Sequence, residues 1–171
     1  MIKFSTSERL DMQNGHFHSQ TFGILDLSRV RERVIQFINE DPQKNYRLVI
    51  GTDSEAKNGH GVEFITAFVV HRIGNGGIYF WRRKEDTKPY VLRTRIYEEA
   101  TLSLSAADEF IEIFKKDGIG RYDLEIHVDI GNKGETREMI TEIVGMIKGS
   151  GFAVKTKPES YAASKVADRH T

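Results

Sequence analysis

The sequence predicts one mixed α/β domain: a five-stranded sheet, antiparallel through its first three strands and parallel for the last two, with helices on its faces. Three observations predict it. Apolar, β-branched runs between residues 47 and 81 are joined by short Gly/Asn turns, which reads as a meander. Beyond residue 90 helix-period and strand-like segments alternate. The chain has 171 residues, 39% of them hydrophobic and 29% charged, which suits a single domain with its own core.

Residues 1–25 are polar and show no sustained period, so an irregular arm is expected there. Leu27, Val30, Val34, Ile35 and Ile38 then follow a three-four spacing, which predicts a helix. Asp26 or Ser28 suits its start, and Asp41-Pro42 stops it. Arg47 to Asp53 reads as a buried strand that runs into Thr-Asp-Ser. Asn58-Gly59-His60-Gly61 is a turn, and Val62 to His71 is a second strand. Gly74-Asn75-Gly76-Gly77 turns the chain into a third strand that begins at Ile78-Tyr79-Phe80-Trp81.

The longest helical stretch runs from Leu92 to Lys116 and ends at Asp117-Gly118. Leu124 to Gly131 is a fourth strand. Glu135 to Lys148 carries Met139, Ile140, Ile143, Val144 and Ile147 on one stripe, a helix closed by glycines. Phe152 to Lys157 is a fifth strand, and Tyr161 to Thr171 a short final helix. The division expected is an N-terminal arm and helix over residues 1–44, packed on a domain of residues 45–171.

Composition narrows function. Twenty-five Lys+Arg balance twenty-five Asp+Glu, so any grip on a polyanion is a local patch rather than a whole-molecule field. The absence of cysteine excludes disulfides, thiol nucleophiles and thiolate zinc sites. No apolar run approaches the ~20 residues of a membrane span, and Met1-Ile2-Lys3-Phe4 opens no signal peptide, so a cytoplasmic protein without membrane contact is expected.

Four acidic positions fall at related places. Asp53 ends the first strand and Asp129 the fourth, Glu98 or Glu99 lies in the early turns of the long helix, and Asp168 lies in the last helix. Glu98 shares a stripe with Ser105, Glu109 and Glu112. Glu99 shares one with Ile96, Leu102, Ala106 and Phe110, the core-facing stripe, and an acid there needs a reason. Taken singly, an aspartate after a strand is an ordinary turn residue. Taken together, gathered carboxylates repel and resist burial, and a hard divalent cation relieves both effects. Oxygen ligands without cysteine suit Mg²⁺ or Mn²⁺. Two such ions about 4 Å apart catalyse phosphodiester hydrolysis in other enzymes.

Val49-Ile50-Gly51-Thr52-Asp53-Ser54-Glu55, His127-Val128-Asp129-Ile130-Gly131, and Lys157 to Ala163 continuing through Val166-Ala167-Asp168 carry a resemblance, in this order and spacing. The chain resembles ribonuclease H-like proteins, and more closely an uncharacterised bacterial group of them, the YkuK-like group, over residues 45–171. The resemblance implies the ribonuclease H-like fold, a metal-dependent nuclease acting on RNA, DNA or a hybrid, and Asp53, Glu99, Asp129 and Asp168 as catalytic metal ligands, with Ser54 beside them. It departs from ribonuclease H in lacking a loop histidine before the last aspartate. His127 and His170 read instead as structural.

Arg82, Arg83, Lys84, Lys88, Arg93 and Arg95, flanked by Trp81 and Tyr90, offer a patch for nucleic acid or a solvated hairpin end. Lys155, Lys157, Lys165 and Arg169 form a second basic set. Two other readings compete. One is a non-catalytic binding module for nucleic acid or protein on the same fold. The other is a phosphate loop at Asp129-Ile130-Gly131-Asn132-Lys133-Gly134-Glu135-Thr136, which resembles that of actin-like ATPases and sugar kinases. Those enzymes enclose nucleotide between two domains, and one chain of this length supplies one. The sequence leaves the oligomeric state open.

Overall fold

The computed structural model describes residues 15–59 and 61–171. Residues 1–14 of the expected arm and His60 of the expected turn lie outside the described residues. Among the described residues one sheet has seven strands, in the order β2-β1-β5-β4-β3-β6-β7. They are β1 (Phe17–Ser19), β2 (Gly23–Leu25), β3 (Tyr46–Ala56), β4 (Val62–Arg72), β5 (Gly77–Asp86), β6 (Leu124–His127) and β7 (Ala153–Lys155). Pairing is antiparallel except β3–β6 and β6–β7, which are parallel.

The five expected strands are present with the expected directions, but the sheet is not five-stranded. Residues read as an irregular lead-in add β1 and β2. Each is three residues long, too short for an alternation to show, and β1 joins the sheet through the pairing of His18 with Trp81. A second correction concerns β5, which runs on to Asp86, so Arg82, Arg83 and Lys84 are strand residues on alternate faces rather than a hairpin end.

Three α-helices occur among the described residues: α1 (Leu27–Glu40), α2 (Leu92–Phe114) and α3 (Ile140–Gly149). Asp26 caps α1, its carboxylate accepting from the Arg29 N–H at 2.8 Å. α2 passes into a 3₁₀ turn that stops at Gly118, whose φ of 77° is left-handed. α3 starts later than the expected Glu135: a 3₁₀ turn at Arg137–Met139 precedes it. The Gly131–Thr136 loop therefore does not run into an α-helical N-terminus. The final helix is π-helical over Ala162–Ala167 and 3₁₀ over Asp168–His170. No helix among the described residues is long and apolar enough to cross a membrane.

Alternation along the strands sorts the core into two unequal faces. Leu48 and Ile50 of β3, Phe68 and Val70 of β4, Phe80 of β5 and Ile126 of β6 point to the face covered by α1, α2 and α3. Phe68 stacks on Phe110 of α2 with ring centroids 4.0 Å apart. A fully buried side chain of this size contributes about 2–3 kcal/mol. On the other face Val49, Val69 and Ala162 form one small cluster, and Ile65, Ala67 and Ala167 another, with the C-terminal helix as the cover. β4, central and covered on both sides, is buried from Val62 to Val70.

Candidate functional site

β3 and β6 run parallel with Gly51 opposite His127, where β6 ends; β3, expected to end at Asp53, instead stays paired with β4 as far as Ala56, so Asp53 is a residue within the strand. Asp53 and Asp129 lie just beyond that level. β6 ends at His127, earlier than expected, but Val128 N–H still bonds Lys155 O at 3.0 Å and Lys157 N–H bonds Ile130 O at 2.8 Å. Those two bonds carry Asp129 and Lys157 past the sheet side by side. Lys157 Nζ stands 3.3 Å from Asp129 Oδ1. A Cβ on Gly131 would meet the Lys157 Cβ at 3.1 Å, so glycine there leaves room for the lysine stem.

Asp53 alternates to the face under the C-terminal helix, while Thr52 and Ser54 face α2. Burial pushes the Asp53 carboxyl up to about 6; the Ser54 backbone N–H opposes the rise, and the negative charges of Asp129 and Asp168 add to it. Glu99 comes from the core-facing stripe of α2 and is 7% exposed. Burial pushes its carboxyl up to about 8, against a hydrogen bond from the Ser54 hydroxyl to Oε1 and the nearby Arg95, with Asp53 and Asp129 adding to the rise. Beneath them the hydroxyls of Thr52, Thr66 and Ser103 bond one another at 3.0 and 2.8 Å, which satisfies the polar groups at this end of the core.

Asp53 thus feels the charges of Asp129 and Asp168, and Glu99 those of Asp53 and Asp129. Asp168 is the most open of the four, exposed on its 3₁₀ turn. They do not close on one point: among the described residues no three His, Asp or Glu side chains stand together closely enough to hold a metal ion. The donor set nevertheless fits a hard divalent cation. All four groups are carboxylates, and the Asp129 Oδ1 is buried without a hydrogen bond, Lys157 reaching it only at ion-pair range. Between Glu98 and Glu99 it is Glu99 that meets Ser54 and feels the charge of Asp53; Glu98 bonds Lys84 at 2.9 Å.

The expected basic patch is largely matched by acids. Arg82 donates two hydrogen bonds to Glu109 at 2.9 and 2.8 Å, Arg83 lies 3.4 Å from Glu63, and Arg93 lies 3.2 Å from Glu142. The aromatic rings flanking it are occupied too. Trp81 stacks with His18 and His170 at 4.5 and 4.3 Å, and Tyr90 donates to Asp86 at 2.7 Å. Burial lowers the pKa of His127, His18 and His170.

Sequence reasoning took Arg95 and Lys157 as members of diffuse basic sets, whereas both face the carboxylates. Arg95 was findable, since it precedes Glu99 by four residues on the same helical stripe. Lys157 was not, because its place depends on how β6 and β7 part.

Residues 29–171 match the family model described as Ribonuclease H-like. The chain is 32% identical over 166 residues to a Bacillus subtilis (strain 168) protein called "Uncharacterized protein YkuK", covering 91% of this chain and 96% of that one. No solved structure matches significantly.

Proposed function

The chain belongs to the ribonuclease H-like family, in its YkuK-like branch, and on that premise we propose that it is a cytoplasmic, divalent-metal-dependent nuclease. The observation that carries the reading is the pair Asp53 and Glu99, both held where ionisation is unfavourable, next to an Asp129 oxygen that is buried without a hydrogen bond. Gathered carboxylates held where ionisation is unfavourable suit a divalent cation that would neutralise them.

In this reading Asp53, Glu99, Asp129 and Asp168 hold Mg²⁺ or Mn²⁺, and the substrate is RNA, DNA or a hybrid. Bound there, the cation supplies charge neutralisation and a more acidic water for phosphodiester hydrolysis. The protein's own groups do the rest. Ser54 orients the Glu99 carboxyl, Arg95 tempers the negative charge of Asp53 and Glu99, and Lys157 steadies Asp129. No covalent nucleophile is required.

One observation favours a second reading, a binding module without catalysis: no three described carboxylates meet on a single point. Thermal unfolding with added Mn²⁺, wild type against Asp129→Asn, separates the two. At about a hundred times its Kd the ion stabilises by roughly 2.7 kcal/mol, a rise of about 5–10 °C in Tm. The rise is expected in wild type and not in the variant, together with metal-dependent cleavage of at least one member of an RNA, DNA and hybrid panel. Nucleic-acid binding that persists in chelator, with no Tm rise and no cleavage, selects the module.

A further inference from the structure

The C-terminal helix that carries Asp168 buries only the small side chains of Ala162 and Ala167 fully against Val49, Val69, Ile65 and Ala67, with Val166 and Tyr161 partly buried beside them. Polar contacts add to this seat. His127 on β6 is 1% exposed. Its Nδ1 accepts the backbone N–H of Ala162, the first residue of the helix, at 3.3 Å. Its Nε2 lies 3.2 Å from Glu125 Oε2, and the Tyr161 ring stands edge-on to the imidazole at 4.7 Å. An imidazole that accepts at Nδ1 carries its hydrogen on Nε2, and Glu125 is the acceptor that selects that tautomer.

The first N–H groups of a helix have no partner within it, so a buried start needs an outside acceptor. At the far end of the segment Arg83 donates to the His170 carbonyl oxygen at 3.1 Å, and Tyr79 Oη lies 3.2 Å from His170 Nε2. Asp168 sits between these two anchors. An apolar residue at 127 would leave both the Ala162 N–H and the Glu125 carboxylate without the partner they have now.

We propose that His127, oriented by Glu125, is a positioning residue: it seats the start of the C-terminal helix and so sets where Asp168 stands relative to Asp53. The inference rests on the reading of Asp168 as one of the functional carboxylates. Its test separates the two claims.

In ¹⁵N-histidine spectra of the wild-type chain, His127 shows an unprotonated Nδ1 and a protonated Nε2; a protonated Nδ1 overturns the proposal. His127→Leu keeps the bulk and removes both bonds, whereas His127→Asn places an amide oxygen close to where Nδ1 stood. Exchange of the Ala162 amide accelerates at least tenfold in the leucine variant and is restored in the asparagine variant, while amides of β3 and β4 are unchanged. Trp81, the only tryptophan, stacks on His170, and its emission shifts in the leucine variant alone. Unchanged exchange and emission in the leucine variant overturn the proposal. Mn²⁺ half-saturation, read by the Tm rise, weakens roughly tenfold in the leucine variant and recovers in the asparagine variant. If wild type shows no Mn²⁺ response, the metal reading fails, and the tautomer, exchange and emission still decide the seat. Should the leucine variant not fold, the wild-type tautomer and the asparagine variant's exchange decide it.

Discussion

The two flanks of the sheet treat charge in opposite ways. Where β5 runs beneath α2, acids and bases are matched, Arg82 with Glu109 and Lys84 with Glu98, at hydrogen-bond distance and partly open to water. Where β6 ends beside β3, Asp53, Glu99, Asp129 and Asp168 are gathered with Arg95 and Lys157 as nearby cations, and burial holds two of the acids against ionisation. The first arrangement contributes modestly to stability. The second opposes it, and a protein keeps such an arrangement where it has a use for the unfavourable charge. Removing a charge should therefore have opposite consequences at the two flanks.

The largest effect expected is on chemistry. Asp53→Asn should lower metal-dependent cleavage roughly a thousandfold or more, since metal-ion charge stabilisation is worth several kcal/mol. The same variant should unfold at slightly higher denaturant, by about 1 kcal/mol once solvent screening on its open side is allowed for. Cleavage that survives the substitution breaks the comparison at its functional end.

Next comes Glu99→Gln, read by urea unfolding at several pH values. The folded carboxyl is raised from 4.5 to about 8, so between these values the folded chain keeps a proton that the unfolded chain has lost. The contribution to stability is therefore full below pH 4.5 and is lost as pH rises through about 8. Asp53, raised from 3.8 to about 6, adds a loss of the same sign at lower pH. The glutamine variant should match wild type near pH 5 and exceed it by a few kcal/mol at pH 9. Parallel curves for the two proteins would show that Glu99 ionises freely.

The smallest effect belongs to the matched flank. Arg82→Ala removes the two bonds to Glu109 and the guanidinium 5.1 Å from the Phe17 ring centroid, and should destabilise by about 1 kcal/mol. It should leave the Mn²⁺ response of the melting temperature unchanged. A loss of that response would tie the two flanks together.

Much of this was legible in the chain. The three-strand meander and the parallel pair β3–β6 follow from apolar runs, turn residues and alternation, and the stripe that Glu99 shares with Ile96 and Phe110 already pointed it inward. β1 and β2 were not legible, because three residues carry no period, and what brings them into the sheet is the pairing of His18 in β1 with the distant Trp81 of β5. Nor was the fate of the basic stretch: Arg82 and Arg83 are neighbours in sequence yet meet Glu109 and Glu63 on opposite faces, a sorting made by the pleat of β5.

The class of fold could be read from the chain alone, because hydrophobic periodicity is a local property; where the strands stop relative to Asp53 and Asp129 could not, since β3 is held to Ala56 by its pairing with β4 and β6 stops at His127. Only the tertiary structure decided which charges stay unmatched. That depends on burial and on partners brought in from afar, such as Ser54 on Glu99, Lys157 on Asp129 and His127 on Ala162, and the energy of a charge is set by the surroundings it is folded into.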